Sequence, residues 1–129
     1  MKLTLQTDYA LRILMALASE PHRIISVEEI AQKFSISKNH LMKVARALMS
    51  SGYVKTLRGR NGGMRLAKPA EKIAIGDVVC AIEPDMNMVA CYTNTECALL
   101  PNCRLKPLIG TGVAAFIHAL NQKTLSDLC

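Results

Sequence analysis

The chain has no tryptophan and only five aromatic residues among 129. A half-apolar chain with so few rings must build its core from Leu, Ile, Val, Ala and Met, a composition that favours helices. No apolar run is long enough to cross a bilayer, which excludes a transmembrane helix. Asp8 and Arg12 interrupt the stretch where a secretory signal would need unbroken apolar residues. A soluble, cytoplasmic protein is therefore expected. Five cysteines in a chain expected to be intracellular argue against a disulfide framework, and the lack of a closely spaced pair weakens an ordinary structural zinc site. No nucleophile stands beside a base, no phosphate-cradling loop follows a strand, and no cofactor fingerprint is present, which argues against an enzyme.

Acidic charge is missing from one region in particular. Lys33 to Lys68 holds nine Lys or Arg and no Asp or Glu. Residues 1–68 carry 12 basic and 4 acidic residues, a net +8, while residues 69–129 carry 4 basic and 6 acidic residues, a net −2. A solvated basic face is the plain reading of such a run. Its coincidence with a nucleic-acid-binding pattern makes it the electrostatic footprint of a polyanion site.

What is present reads as one domain completed by a partner. Tyr9, Ala10, Ile13, Leu14 and Leu17 give a first helix over Thr7 to Ser19, stopped by Pro21. Ser26-Val27-Glu28-Glu29 is a capping box opening a short second helix through Ile30, Ala31 and Phe34. After Ser35-Ile36 a third helix runs from Ser37 to about Ser51, with Leu41, Val44, Ala45 and Leu48 inward and Gly52 as its stop. Two helices joined by so tight a turn form a helix-turn-helix, and Ser37, Lys38, Asn39, His40 and Lys43 face the major groove. Tyr53 to Leu57 and Met64 to Leu66 flank a glycine-rich turn as a hairpin wing, with Arg58, Arg60 and Asn61 at its tip for phosphate or minor groove.

Ile75 to Glu83 reads as a fourth helix, with Cys80 inside its apolar stripe. Periodicity then disappears until a long helix from about Arg104 to Gln122, apolar along Leu105, Leu108, Ile109, Val113, Phe116, Ile117 and Leu120. Gly110 and Gly112 inside it each cost about 1 kcal/mol relative to Ala, which close approach of a second helix would offset. A homodimer matched to a palindromic double-stranded operator is expected, the plain alternative being a helix packed on its own domain. The fold class is thus mainly α with a small β-hairpin wing. Residues 1–84 are a winged helix-turn-helix, 85–103 a cysteine loop, and 104–129 a dimerisation helix and tail.

Cys91, Cys97 and Cys103 lie in that loop at equal intervals, whereas Cys129 is the last residue. A wide loop of thiolates suits an iron–sulfur cluster, but three donors leave it one ligand short. Asp8, His22, His40 and His118 are the candidates for the fourth. Met15, Met42 and Met49 read as core filling, and Met86 and Met88 as a shield beside the thiols.

Thr7-Asp8-Tyr9-Ala10-Leu11-Arg12, Ser37-Lys38-Asn39-His40-Leu41, Gly52-Tyr53-Val54, Arg58-Gly59-Arg60-Asn61-Gly62-Gly63 and the three spaced cysteines carry a resemblance along nearly the whole chain. Together they resemble the Rrf-two family of winged-helix iron–sulfur regulators, most closely its nitric-oxide-sensitive repressors. The iron–sulfur-assembly branch is similar, but its fourth ligand is a His just after the third Cys, where this chain has Arg104, Leu105, Lys106 and Pro107. The resemblance instead implies Asp8, lent across the dimer, as fourth ligand of a 4Fe–4S cluster, with 2Fe–2S the alternative. An acid in a helix's first turn also has the ordinary role of stabilising the macrodipole. Arg12, one turn on, pairs with Asp8 or with the cluster. Rival expectations are an iron-status regulator of the same family, a cluster-free disulfide switch, and a protein-interaction module on the same fold.

Overall fold

Thr4 starts the first helix two residues earlier than the apolar pattern suggests, because its hydroxyl accepts the Thr7 amide at 3.3 Å. In the computed structural model, which describes residues 2–93 and 96–129, this helix is α1 (Leu5–Ser19). It buries Ala10, Ile13, Leu14 and Leu17. The expected capping box opens α2 (Val27–Phe34): Glu29 N–H donates to Ser26 Oγ, and Ser26 N–H to the Glu29 carboxylate. Ser35 then turns the chain in a left-handed conformation, φ 53°, and its amide bonds back to the carbonyls of Ala31 and Gln32. This three-residue link, residues 35–37, delivers α3 (Lys38–Ser50), which packs on both α1 and α2.

Gly52, at φ 77°, releases the chain into β1 (Val54–Leu57), and β2 (Gly63–Leu66) returns antiparallel in the register Val54↔Leu66, Lys55↔Arg65, Thr56↔Met64, Leu57↔Gly63. Ile25 adds a one-residue bridge to Met64, so the wing is hydrogen-bonded to the segment before α2. Of the three tip glycines only Gly59 uses a positive φ, 115°.

A 3-10 turn at Ala70–Lys72 leads to α4 (Ile75–Ile82), and a second at Ala90–Tyr92 precedes α5 (Leu105–Asn121). Buried Ile75, Val78, Val79 and Ile82 are the inner face of α4. Cys80 departs from expectation: it is exposed, because the stripe follows positions 75, 78, 79 and 82 and leaves 80 on the opposite side. Met15 and Met49 are likewise more than a third exposed rather than core filling, since the neighbouring Leu and Ile residues occupy the inward positions.

α5 crosses α4 at Gly76, where a methyl group would lie 2.7 Å from the Ile117 carbonyl oxygen and 2.5 Å from Asn121 Oδ1. Asn121 in turn accepts the Asp77 amide at 3.0 Å and donates to the Asp77 carboxylate at 2.9 Å. Beyond α5 the chain returns to the core through a 3-10 turn, Leu125–Leu128. Leu125 is fully buried, and its N–H donates to the Ile73 carbonyl at 2.8 Å. Among the described residues no helix is long and apolar enough to cross a membrane.

Candidate nucleic-acid interface and cysteine loop

Tight packing of Leu41, Val44, Ala45 and Leu48 against α1 and α2 fixes the rotation of α3, so its remaining face must look outward. Ser37, Lys38, Asn39, His40 and Lys43 are all exposed on it. Ser37 is the N-cap residue of α3 but makes no side-chain cap bond, which leaves its hydroxyl available for an outside partner. Lys38 is ion-paired with Glu28 of α2. His40 and Lys43 line a shallow groove shared with Leu5, Gln6 and Tyr9 of α1.

On the wing, Arg58, Arg60 and Asn61 are exposed at the tip. The register adds two cations that inspection of the tip alone overlooks. Lys55 and Arg65 stand directly opposite each other on the exposed face, a pairing that destabilises a sheet unless an anion covers it. Counting the two strands outward from the turn would have found this pair.

The half that carries the cysteine loop begins at a polar clamp. Glu83, the C-cap of α4, accepts from Thr7 Oγ1 at 2.5 Å, from Thr4 N–H at 3.1 Å and from Thr4 Oγ1 at 3.2 Å. Thr7 is fully buried and Asp8 follows it. The segment entering the cysteine loop is thereby bonded to the first turn of the helix that carries Asp8. The Asp8 carboxylate accepts Arg12 Nε at 2.9 Å, one helical turn on, and both side chains remain more than two-fifths exposed.

Cys91, Cys97 and Cys103 are free thiols, each half-buried. Cys91 sits in the 3-10 turn, Cys97 accepts the Leu100 amide through its carbonyl, and Cys103 lies two residues before α5. Among the described residues no group of three or more His, Cys, Asp or Glu converges to hold a metal within one chain. His118 is exposed on α5 beside Gln122, and His22 is exposed after α1. Three soft, unpaired, half-buried sulfur donors on one irregular loop fit an iron–sulfur cluster that takes one ligand from elsewhere.

The family model Rrf2, described as an iron-dependent transcriptional regulator, matches residues 3–129. The chain belongs to the Rrf2 family. It is 46% identical to the HTH-type transcriptional regulator NsrR of Bacillus licheniformis over 131 residues, covering 99% of this chain and 92% of that one. It is equally similar to NsrR of Bacillus subtilis, covering 90% of that protein. Among solved structures, a putative transcriptional regulator from Listeria innocua superposes with a TM-score of 0.82 at 32% identity, covering 99% of this chain and 85% of that one. These Rrf2 relatives are transcriptional regulators rather than enzymes, and the winged-helix architecture is theirs as well.

Proposed function

We propose that the protein is a DNA-binding transcriptional repressor whose grip on its operator is set by an iron–sulfur cluster that senses nitric oxide. The observation that carries this reading is one chain holding both an exposed basic surface, drawn from the acid-free run of residues 33–68, on a helix-turn-helix and wing, and three free, half-buried thiols on a loop rooted to α1. The 46% identity to NsrR regulators supports it.

Cys91, Cys97 and Cys103 would hold the cluster, with Asp8 of the partner subunit as fourth ligand. When bound, the cluster supplies irons that react with nitric oxide and, at the carboxylate, a corner more exchangeable than thiolate. Asp8 is the residue through which the two halves communicate. It lies on α1, and α1 packs against α3, so a pull on Asp8 is felt by the recognition helix. Releasing Asp8 returns it to Arg12, one turn along the same helix. On DNA, Ser37, Lys38 and Lys43 fix position on phosphates, Asn39 and His40 meet base edges, and Arg58, Arg60 and Asn61 hold the adjacent groove. Lys38 exchanges Glu28 for a phosphate on binding. Lys55 and Arg65 extend the phosphate track along the wing.

Visible and Mössbauer spectra of anaerobically prepared protein, wild type against Asp8→Ala, test the reading. The expected result is a brown dimer with stoichiometric iron and sulfide, in which Asp8→Ala alters one iron site and leaves the thiolate bands. A colourless protein with an oxidisable thiol pair would replace it with the disulfide switch.

A further inference from the structure

Gly110 is where expectation and structure differ most usefully. A glycine inside a long helix suggests a crossing partner, and at Gly112 the space is indeed open, with nothing within 4 Å of where a methyl group would lie. At Gly110 the space is taken by the chain's own Tyr92, whose Oη would lie only 2.8 Å from such a methyl. Tyr92 is the residue after Cys91. Its hydroxyl donates to the Lys106 carbonyl at 2.7 Å, and Lys106 Nζ sits 5.1 Å from the centre of its ring.

From these contacts we infer that Tyr92 is a positioning residue that ties the head of the cysteine loop to the helix at the loop's far end, holding Cys91 near Cys103 before any cofactor binds. The inference rests on the ligand assignment above and adds to it a residue outside the ligand set. Cys91 and Cys103 stand twelve positions apart in the sequence, and a free segment of that length samples many end-to-end separations. The turn around Cys91 is bonded within itself: Tyr92 N–H to the Val89 carbonyl at 3.2 Å, and Thr93 N–H and Oγ1 to the Ala90 carbonyl at 3.1 and 2.9 Å. Cys91 therefore moves with Tyr92. Cys103 lies three residues before Lys106, whose carbonyl accepts the Tyr92 hydroxyl, so the tether closes the loop at both of its outer thiols. A ring held only by packing would not need the hydroxyl contact to the Lys106 carbonyl.

The test uses the full-length, iron-free chain with Cys80, Cys97 and Cys129 replaced by Ser, so that Cys91 and Cys103 alone remain. Dibromobimane, which fluoresces once it bridges two thiols, reports their proximity, and monobromobimane reports each thiol's own reactivity. Tyr92→Phe is expected to slow bridging by about three- to tenfold, the size of one neutral hydrogen bond, with single-thiol rates unchanged. Gly110→Ala should slow it as well, although alanine favours the helix, and should add nothing in the Tyr92→Phe background. Equal bridging rates with and without the Tyr92 hydroxyl would overturn the inference. Slowed bridging in the Tyr92→Phe variant, together with a chain that keeps all five cysteines yet takes up no iron or sulfide under anaerobic reconstitution, would leave the tether standing and remove the cluster instead.

Discussion

Two apolar helices in this molecule behave in opposite ways. α1 hides six of its residues completely or nearly so, and the core it organises reaches α2, α3, β2, α4 and even Leu125 of the tail. α5 has 17 residues and buries none of them, while Leu105 and Leu108 are 55% and 66% exposed. The half that carries the helix-turn-helix and wing is thus finished by its own chain, and the half that carries the cysteine loop and α5 is not. An apolar helix left open in this way is the surface on which we propose that a second copy packs, and under the proposed function the three thiols likewise take their fourth donor from outside the chain.

Substitutions can break or sharpen that contrast. The largest effect belongs to the closed half: Leu14→Ala, at a fully buried site, should cost about 2–5 kcal/mol in urea unfolding and do so at every protein concentration. Leu108→Ala on α5 should instead show its loss as a midpoint that depends on concentration, with sedimentation revealing more monomer. If Leu108→Ala behaved as Leu14→Ala does, α5 would not be the dimer face.

The joint between the halves comes next. Thr7→Val removes the shortest donor to Glu83 from a fully buried position and should destabilise the fold by about 1–3 kcal/mol, measured by denaturant titration. Arg60→Ala leaves the fold alone, because the side chain is exposed at the wing tip. It should weaken operator binding and flatten the slope of log affinity against log salt by about one unit. An unchanged salt titration would remove the wing from the interface.

The smallest effect is a pH dependence at the tail. Hydrogen bonds from the Thr124 amide and then the Thr124 hydroxyl hold the Asp127 carboxyl below its ordinary value. Its contribution is therefore present in full above the usual carboxylate range and is lost as pH falls through the lowered value. Amide exchange at Leu125 to Leu128 should accelerate in that acid window, and Asp127→Asn should accelerate it at neutral pH.

How much of this was legible beforehand depends on how far apart the partners lie. The capping box at Ser26 and Glu29, the stop at Gly52 and the hairpin arginines are local patterns, and each stands where the residues placed it. The Glu83 clamp joins residues 76 and 79 positions apart, and the Leu125 anchor depends on the chain turning back after α5. No short-range pattern reveals either. Cys80 misled because its neighbours Val78, Val79 and Ile82 are apolar, and a short helix offers too few turns to separate its two faces. Gly110 misled for a different reason: a missing Cβ says that something approaches closely, not what approaches, and here it is Tyr92.

The proposed function stands or falls on a coupling by which the open half governs the closed one. Titrating one operator fragment at fixed salt with matched anaerobic preparations of iron-loaded and iron-free protein tests it most directly. The iron-loaded dimer is predicted to bind at least about fivefold more tightly, the lower end of ordinary coupling between sites, and nitric oxide to abolish the difference. Superimposable binding curves for the two preparations would contradict it.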